Sequence, residues 1–144
     1  MKNKSVYSIV SLFLLYLLSA LGSNLFADQL KTVDMSESWG IEPVHLRVTA
    51  DGYMVEFRYK ILDEDKARIL SDRKHFPYLL SLKSKAKLSV PYFPTVGFVK
   101  SNRRFIKKGR HYTALFSNEG RHLLSGDQAK IQIRNEVSAP LSLN

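Results

Sequence analysis

Cysteine is the first absence in this chain, since none of its 144 residues is a cysteine. The absence excludes disulfide bonds, thiolate metal sites, thiol nucleophiles, covalently attached haem and a lipid anchor carried on cysteine. A small domain that cannot use disulfides depends on its apolar core. We therefore expect a domain whose stability comes from packing alone.

Recognisable catalytic motifs are absent as well. The chain contains no G-x-S-x-G elbow, no H-E-x-x-H pair, no phosphate-binding loop and no glycine-rich dinucleotide turn. The adjacent acids Asp63, Glu64 and Asp65 stand at the start of a predicted helix, where capping is their ordinary role. The sequence therefore predicts a protein that is not an enzyme and that uses no cofactor.

The long apolar run of the chain lies within residues 1–27, MKNKSVYSIVSLFLLYLLSALGSNLFA. Lys2 and Lys4 precede an uncharged stretch, and the next charge is Asp28. A positive start, an apolar middle and small residues near a cut after Ala27 or Gly22 predict a secretory signal. Because small exported eukaryotic domains commonly carry disulfides, the missing cysteines favour a bacterial source.

Residues 5–27 also allow a second interpretation, an uncleaved membrane anchor. At about 1.5 Å per residue they could cross a hydrocarbon core of roughly 30 Å. Lys2 and Lys4 would then lie inside, as the positive-inside bias requires. The apolar middle is slightly short for a span, which favours cleavage. Either interpretation predicts an exported protein, in the periplasm or at the outer face of the inner membrane, with membrane association through residues 5–27 if they are kept.

Acidic residues are few. Aspartate and glutamate total 13 against 22 lysines and arginines, for a net charge of +9. Without Lys2 and Lys4 the exported part keeps about +7. Such an excess predicts attraction to an anionic lipid or glycan surface or to an acidic envelope protein. Nucleic acid is not expected as a partner, because an exported protein works in a different compartment from the nucleic acids of the cell.

The remaining pattern predicts a linker over residues 28–38, which are polar and lack a sustained period, and one β-domain over residues 39–144. Alternating residues from Val44 to Thr49 and from Tyr53 to Ile61 flank an Asp-Gly turn, which together predict a β-hairpin. In this hairpin we expect Val44, Leu46 and Val48 to share one face.

Further elements follow the first hairpin. Asp63 is placed to cap a short helix that extends to Leu70. A second hairpin is predicted from Tyr78–Leu82 and Lys87–Val90, with further strands over 111–116 and around 129–133. About seven short strands separated by Gly, Pro and Asp predict an all-β fold, an antiparallel immunoglobulin-like β-sandwich with one short helix. An N-terminal hydrophobic signal or anchor helix precedes it, and a small β-barrel is the alternative.

The segment from Val90 to Tyr112 is the predicted contact surface. It combines a dense run of cations with aromatic residues in and beside a proline-containing loop. Cations attract an anionic partner over a distance, and aromatic side chains add contact energy at short range. The alternative is that the aromatics complete the core and the charges maintain solubility. The predicted partner-binding residues are Arg103, Arg104, Lys107, Lys108, Arg110, Tyr92, Phe93 and Phe105.

Metal binding is the competing hypothesis. Imidazole and thioether groups suit copper, and the chain offers four histidines with Met35 and Met54. No two histidines have the spacing that would bring them together on one strand or helix, so a site would have to join distant strands. His45 and His111 are the candidates, and the nearby cations Arg47 and Arg110 disfavour metal capture.

Several blocks of the sequence resemble a group of small exported bacterial β-sandwich proteins of uncharacterised function. The blocks are Trp39–Glu42, Ala50–Tyr59, Asp72–Lys74 with Pro77–Leu79, Gly109–Tyr112 and Leu115–Asn118. The resemblance implies an exported bacterial β-domain and supplies no activity. The sequence as a whole predicts a non-catalytic binding or accessory module at the bacterial envelope, with a periplasmic copper-binding protein as the alternative.

Overall fold

The computed structural model describes residues 30–72, 75–93, 97–98 and 106–144, and residues 92, 93, 97 and 98 by their backbone only. The described residues form two α-helices, α1 Met35–Trp39 and α2 Glu64–Ala67, the second continued by a 3₁₀ turn over Arg68–Ser71. The strands are β1 Lys31–Val33, β2 Ile41–Thr49, β3 Met54–Ile61, β4 Tyr78–Ser81, β5 Lys87–Ser89, β6 Tyr92–Phe93, β7 Gly97–Phe98, β8 His111–Ser117, β9 Gln128–Ile133, β10 Glu136–Ser138 and β11 Leu141–Ser142.

The first predicted hairpin is confirmed and forms one sheet with β8, in the order β2-β3-β8. Its turn uses Ala50, Asp51 and Gly52, all at positive φ, a region in which glycine has no steric penalty. Val55, Phe57, Tyr59 and Ile61 are buried on the inner face, as their alternation predicts.

One part of the predicted alternation differs in the structure. The ladder between β2 and β3 shifts register after Pro43, so that Val44 opposes no residue of β3. Such a bulge bends the strand and re-aims the side chain, and Val44 is 48% exposed rather than facing inward with Leu46. The proline itself cannot donate to a ladder, which suits the edge position of β2.

A second, mixed sheet has the order β1-β10-β9-β4-β5, with β11 also pairing with β9. The predicted hairpin of β4 and β5 is confirmed, and β1 pairs in parallel with β10. Two more strands follow the predicted strand β9. At the end of β10, Ser138 Oγ accepts a hydrogen bond of 3.0 Å from the amide of Ile131. Pro140, two residues later, interrupts the ladder. Among the described strands, β6 and β7 pair with each other alone.

Residues 31–38, which we expected to belong to a linker, are ordered. β1 occupies their start, and α1 begins after Asp34, whose side chain accepts hydrogen bonds from the amides of Ser36 and Glu37. A hydrogen bond from the Ser36 hydroxyl, followed by the bonds from these two amides, lowers the pKa of Asp34. Val33, Met35 and Trp39 are buried between exposed polar neighbours. The apolar residues are too few to give a visible period, yet they dock this segment on the core.

The inner faces of both sheets contribute to a single apolar core, in which Phe57, Phe116, Leu79, Ile131 and Trp39 are almost completely buried. The fold is therefore all-β, built from mixed sheets with short helices. The predicted helix after β3 is confirmed, with Asp63 as its cap. Within the described ranges no helix is long and apolar enough to cross a bilayer. The predicted signal or anchor, residues 1–27, lies outside the described residues.

Candidate functional site

The basic loop, residues 106–110, is fixed to the end of β3 through its backbone. The amide of Gly109 donates to the carbonyl oxygen of Ile61 at 2.8 Å, and the amide of Ile61 donates to that of Arg110 at 3.0 Å. Gly109 has φ +80°, a conformation that favours glycine. These bonds make the loop a continuation of the sheet rather than a free connection.

Two further backbone groups of the basic loop are held by side chains. The Lys108 amide donates to Glu64 Oε1 at 2.8 Å, and the Lys107 amide donates to Tyr112 Oη at 3.1 Å. Ile106 packs against the core. The loop is consequently anchored to α2, to β8 and to the hydrophobic interior.

The cationic side chains of the basic loop are not held by contacts of this kind. Lys107, Lys108 and Arg110 are exposed, and none of them forms an ion pair among the described residues. Glu64 uses its carboxylate on the backbone amide of Lys108. Within the described ranges, the loop thus presents three cations without ion pairs on an anchored backbone.

Two cations of the adjacent sheet extend this surface. Lys60 lies opposite His111 in the ladder of β3 and β8, and Arg58 lies opposite Thr113 two pairs further along. Arg58 is exposed without an ion pair in the described part of the chain, and Lys60 Nζ is 4.0 Å from Glu42 Oε2. We define the basic end surface as Arg58, Lys60, Lys107, Lys108 and Arg110. The alternation of β3 puts Arg58 and Lys60 on the outer face, but their link to the basic loop depends on the pairing with β8.

The domain has two ends, a helical end and a distal end. The helical end comprises α1, α2, the basic loop and the turn at Arg134 and Asn135. The distal end comprises residues 50–53, 83–85 and 118–123. Asn118 is the centre of the distal end, because its amide nitrogen donates to the Gly52 and Leu123 carbonyls at 2.8 and 2.9 Å.

The remaining predicted contact residues are not all described. Arg103, Arg104 and Phe105 lie outside the described residues. Tyr92 and Phe93 form β6, of which only the backbone is described. Lys107, Lys108 and Arg110 lie around the turn at Gly109.

His45 contacts an acid rather than another histidine. Its Nε2 atom is 2.7 Å from Glu56 Oε1, and Arg47 Nη2 is 3.1 Å from the same oxygen. The His45 hydrogen bond, followed by the Arg47 charge, lowers the pKa of Glu56 despite partial burial. This group is a local charge cluster on the outer face of the first sheet.

The two candidate copper ligands are not brought together. His45 is paired with Arg58, whereas His111 is paired with Lys60, so that β3 and its cations separate the two imidazoles. His75 instead contacts Asp72 at 2.8 Å. Among the described residues no group of three or more His, Asp or Glu side chains has a metal-binding arrangement.

A cleft of about 420 Å³ opens beside β1 and the start of β2. Its apolar floor includes Val33, Met35 and Ile41, and Asp34 and Glu42 stand at its rim. Asp34 already caps α1. The cleft contains none of the predicted contact residues.

No protein-family model matches the chain, and neither a curated protein nor a solved structure shows significant similarity to it.

Proposed function

We propose that the chain is a non-catalytic, exported binding or accessory module of the bacterial envelope, which contacts an anionic surface or an acidic partner through its basic end surface. The observation that carries the proposal is the basic loop, in which Lys107, Lys108 and Arg110 are exposed and form no ion pair with any described residue, while their backbone is anchored. Cations that are not neutralised internally are available to a partner.

Rigidity strengthens such a contact. Ordering a mobile loop on binding costs conformational entropy, and a loop that is already anchored avoids much of this cost. Each lysine or arginine close to an anionic lipid surface contributes about 1 kcal/mol. Five cations on one surface are therefore sufficient for measurable binding at low salt, and the binding should weaken as salt screens the charges.

We further propose that the two sheets form an immunoglobulin-like sandwich. That fold places strands A, B and E in one sheet and strands G, F and C in the other, with an added C′ strand in some members. The orders β2-β3-β8 and β10-β9-β4-β5 agree with A-B-E and G-F-C-C′, and the strands occur in the same order along the chain. A relationship to the small exported bacterial proteins that the sequence resembles stays a prediction.

The test compares two double charge reversals of equal net charge. Lys107→Glu with Lys108→Glu removes two cations from the basic end surface, and Lys83→Glu with Lys85→Glu does so in the distal turn. The full chain, kept in a nonionic detergent, is bound to immobilised heparin as a polyanion. We expect the first variant to bind at least about 30-fold more weakly at low salt, since two lysines contribute about 2 kcal/mol.

The distal variant is the matched control, because Lys83 pairs with Asp127 at 3.6 Å and lies at the other end of the domain. It should retain most of the wild-type affinity. Equal weakening of both variants would show that retention follows net charge alone, and the proposed surface would be rejected. The difference should disappear near 1 M salt, where the screening length is about 3 Å.

The copper alternative stays a prediction, since no contact in the described residues favours it over a surface role for the histidines.

A further inference from the structure

The cleft beside β1 is lined by residues of both sheets. β1 is the edge strand of the mixed sheet, β2 is the edge strand of the three-stranded sheet, and α1 connects them. Val33 and Met35 contribute to one side, and Ile41 and Leu62 to the other. The Leu62 amide donates to the Gly40 carbonyl oxygen at 2.8 Å, which holds this second side to the end of α1. The packed fold itself therefore forms the cleft, as is usual for ligand pockets.

The floor of the cleft is apolar. Val33, Met35 and Ile41 are each at most 8% exposed, and Pro43 and Ala139 add further apolar surface. The volume of about 420 Å³ lies within the range of small-molecule sites, which is about 300 to 1,000 Å³. A ligand that fills this cleft should consequently have an aliphatic part.

The charge of the cleft is opposite to that of the chain. Its described lining includes the acids Asp34 and Glu42 and no basic residue, although the chain has 22 lysines and arginines against 13 acids. Lys60 Nζ is 4.0 Å from Glu42 Oε2, at the limit of an ion pair. Lys66 Nζ donates to a backbone carbonyl of α1, and Lys31 of β1 is exposed outside the lining. The two acids are thus only partly neutralised by the described cations.

Asp34 keeps one carboxylate oxygen available. The Ser36 amide, the Ser36 hydroxyl and the Glu37 amide all donate to Oδ1, and Oδ2 forms no hydrogen bond or ion pair with any described residue. The bond from the Ser36 hydroxyl, followed by those from the two amides, keeps the pKa of Asp34 below its ordinary value. The carboxylate is therefore ionised at neutral pH, and its second oxygen can accept from a cation.

We propose that the cleft binds an aliphatic primary ammonium group, with its hydrocarbon part on the floor formed by Val33, Met35 and Ile41 and its charge at the acids Asp34 and Glu42. Two sources carry this chemistry. One is a free alkylamine, and the other is the lysine side chain of a partner protein, in which four methylene groups precede the charge. The proposal goes beyond the proposed function, because no lining residue belongs to the basic end surface.

The test follows methionine methyl signals by NMR in the full chain, kept in a nonionic detergent. Met35 lines the cleft, whereas Met54 begins β3 beside the distal turn and serves as the internal control. Hexylammonium should shift the Met35 signal to saturation and leave the Met54 signal in place. Hexanoate, which has the same chain length and the opposite charge, should bind at least about tenfold more weakly. The net charge of the protein alone would favour hexanoate.

Two double variants with equal net charge locate the site. Asp34→Asn with Glu42→Gln removes both acids of the cleft, and asparagine is as good a helix cap as aspartate, so α1 should persist. We expect this variant to bind hexylammonium at least about fivefold more weakly. Glu37→Gln with Asp65→Asn removes two exposed acids of the same end that lie outside the lining, and it should stay within about twofold of wild type. Detergent takes up the same amount of ligand in each titration, so the comparison is direct.

The wild-type titrations test the proposal independently of any variant. Hexanoate binding as tightly as hexylammonium, or a Met35 signal that does not respond to hexylammonium, would overturn it. Equal weakening by the two double variants would do the same, since retention of the cation would then follow net charge alone.

A peptide distinguishes the two sources of the ammonium group. An acetylated and amidated Ala-Val-Lys-Val-Ala pentapeptide presents one lysine side chain on an otherwise uncharged backbone. Tighter binding than hexylammonium identifies a partner's lysine as the ligand, and weaker binding identifies a free alkylamine. Either order supports the proposal if Asp34→Asn with Glu42→Gln weakens both ligands, and an unaffected pair of ligands contradicts it.

Discussion

The two ends of this domain differ in whether their polar side chains are buried and hydrogen-bonded or exposed. At the distal end Asn118 is completely buried, and its side chain makes three hydrogen bonds to the backbones of Gly52 and Leu123. At the helical end, backbone amides of the basic loop are hydrogen-bonded, while the cationic side chains of Lys107 and Lys108 are exposed and form no ion pair in the part of the chain that the structure describes.

The distal end therefore contributes to stability, whereas the helical end has side chains that are available for binding. A buried amide with every hydrogen bond satisfied locks the turns around it, and its loss leaves unpaired groups inside the protein. A loop anchored only by its backbone keeps its shape when its side chains change. Substitution of the buried Asn118 should therefore alter folding, whereas charge substitutions in the basic loop should alter contacts and leave the fold intact.

The largest expected effect is that of Asn118→Ala. The variant leaves the Leu123 amide and the carbonyl oxygens of Gly52 and Leu123 without their partner, and we expect a loss of about 3 kcal/mol in the free energy of unfolding. Urea titration followed by the fluorescence of Trp39, the single and buried tryptophan, measures it. The exposed Asn135→Ala is the control and should stay within about 0.5 kcal/mol of wild type. Similar losses in both would contradict the role given to Asn118.

The second largest effect on the free energy of unfolding is expected at Gly40, and Gly109 serves as its comparison. A Cβ on Gly40 would lie 2.8 Å from the Asp63 carbonyl oxygen and 2.9 Å from Lys66 Cβ, at a backbone φ of +62°. We expect Gly40→Ala to cost at least about 2 kcal/mol, from this overlap and the left-handed backbone together. Gly109 has φ +80° but no atom within 4 Å of such a Cβ, so Gly109→Ala should cost only about 1 kcal/mol. Equal costs in urea titrations would refute the close approach at Gly40.

The smallest effect is expected midway between the ends, at Glu56. Its pKa is lowered by His45 and Arg47, so its ionised form stabilises the folded state. This contribution is complete above the ordinary glutamate pKa of about 4.3, and it is lost as the pH falls through the lowered value. In this window Glu56→Gln should flatten the decline of the unfolding free energy by less than about 1 kcal/mol. His45→Gln should remove most of the same contribution, and an unchanged slope in both variants would contradict the assignment.

Period-2 alternation was sufficient to predict the hairpin of β2 and β3, the hairpin of β4 and β5, and the strand β8. Each depends on neighbours in sequence and on turn residues between them. The bulge after Pro43 was not predictable, because it arises from the ladder with β3. The same holds for β1 and α1, since Val33, Met35 and Trp39 become apolar contacts only when the core exists to receive them.

The candidate site shows the same division. Lys107, Lys108 and Arg110 could be proposed from the density of charge in one segment. Arg58 and Lys60 could not, because β3 and β8 meet only in the sheet. The burial of Asn118 could not be predicted from the sequence, because an Asn before Glu and Gly is typical of an exposed turn.

By itself, the sequence determined the alternation of strands, the excess of cations, the lack of cysteine and the apolar character of residues 5–27. These properties reside in neighbouring residues or in totals. Only the tertiary structure decided that Lys108 meets Glu64, 44 residues away, and that Asn118 meets Gly52, 66 residues away. It also decided that β1 and β2, which belong to different sheets, line one cleft. Such pairings arise from strand order and core packing, which bring distant segments together and leave no local pattern in the chain.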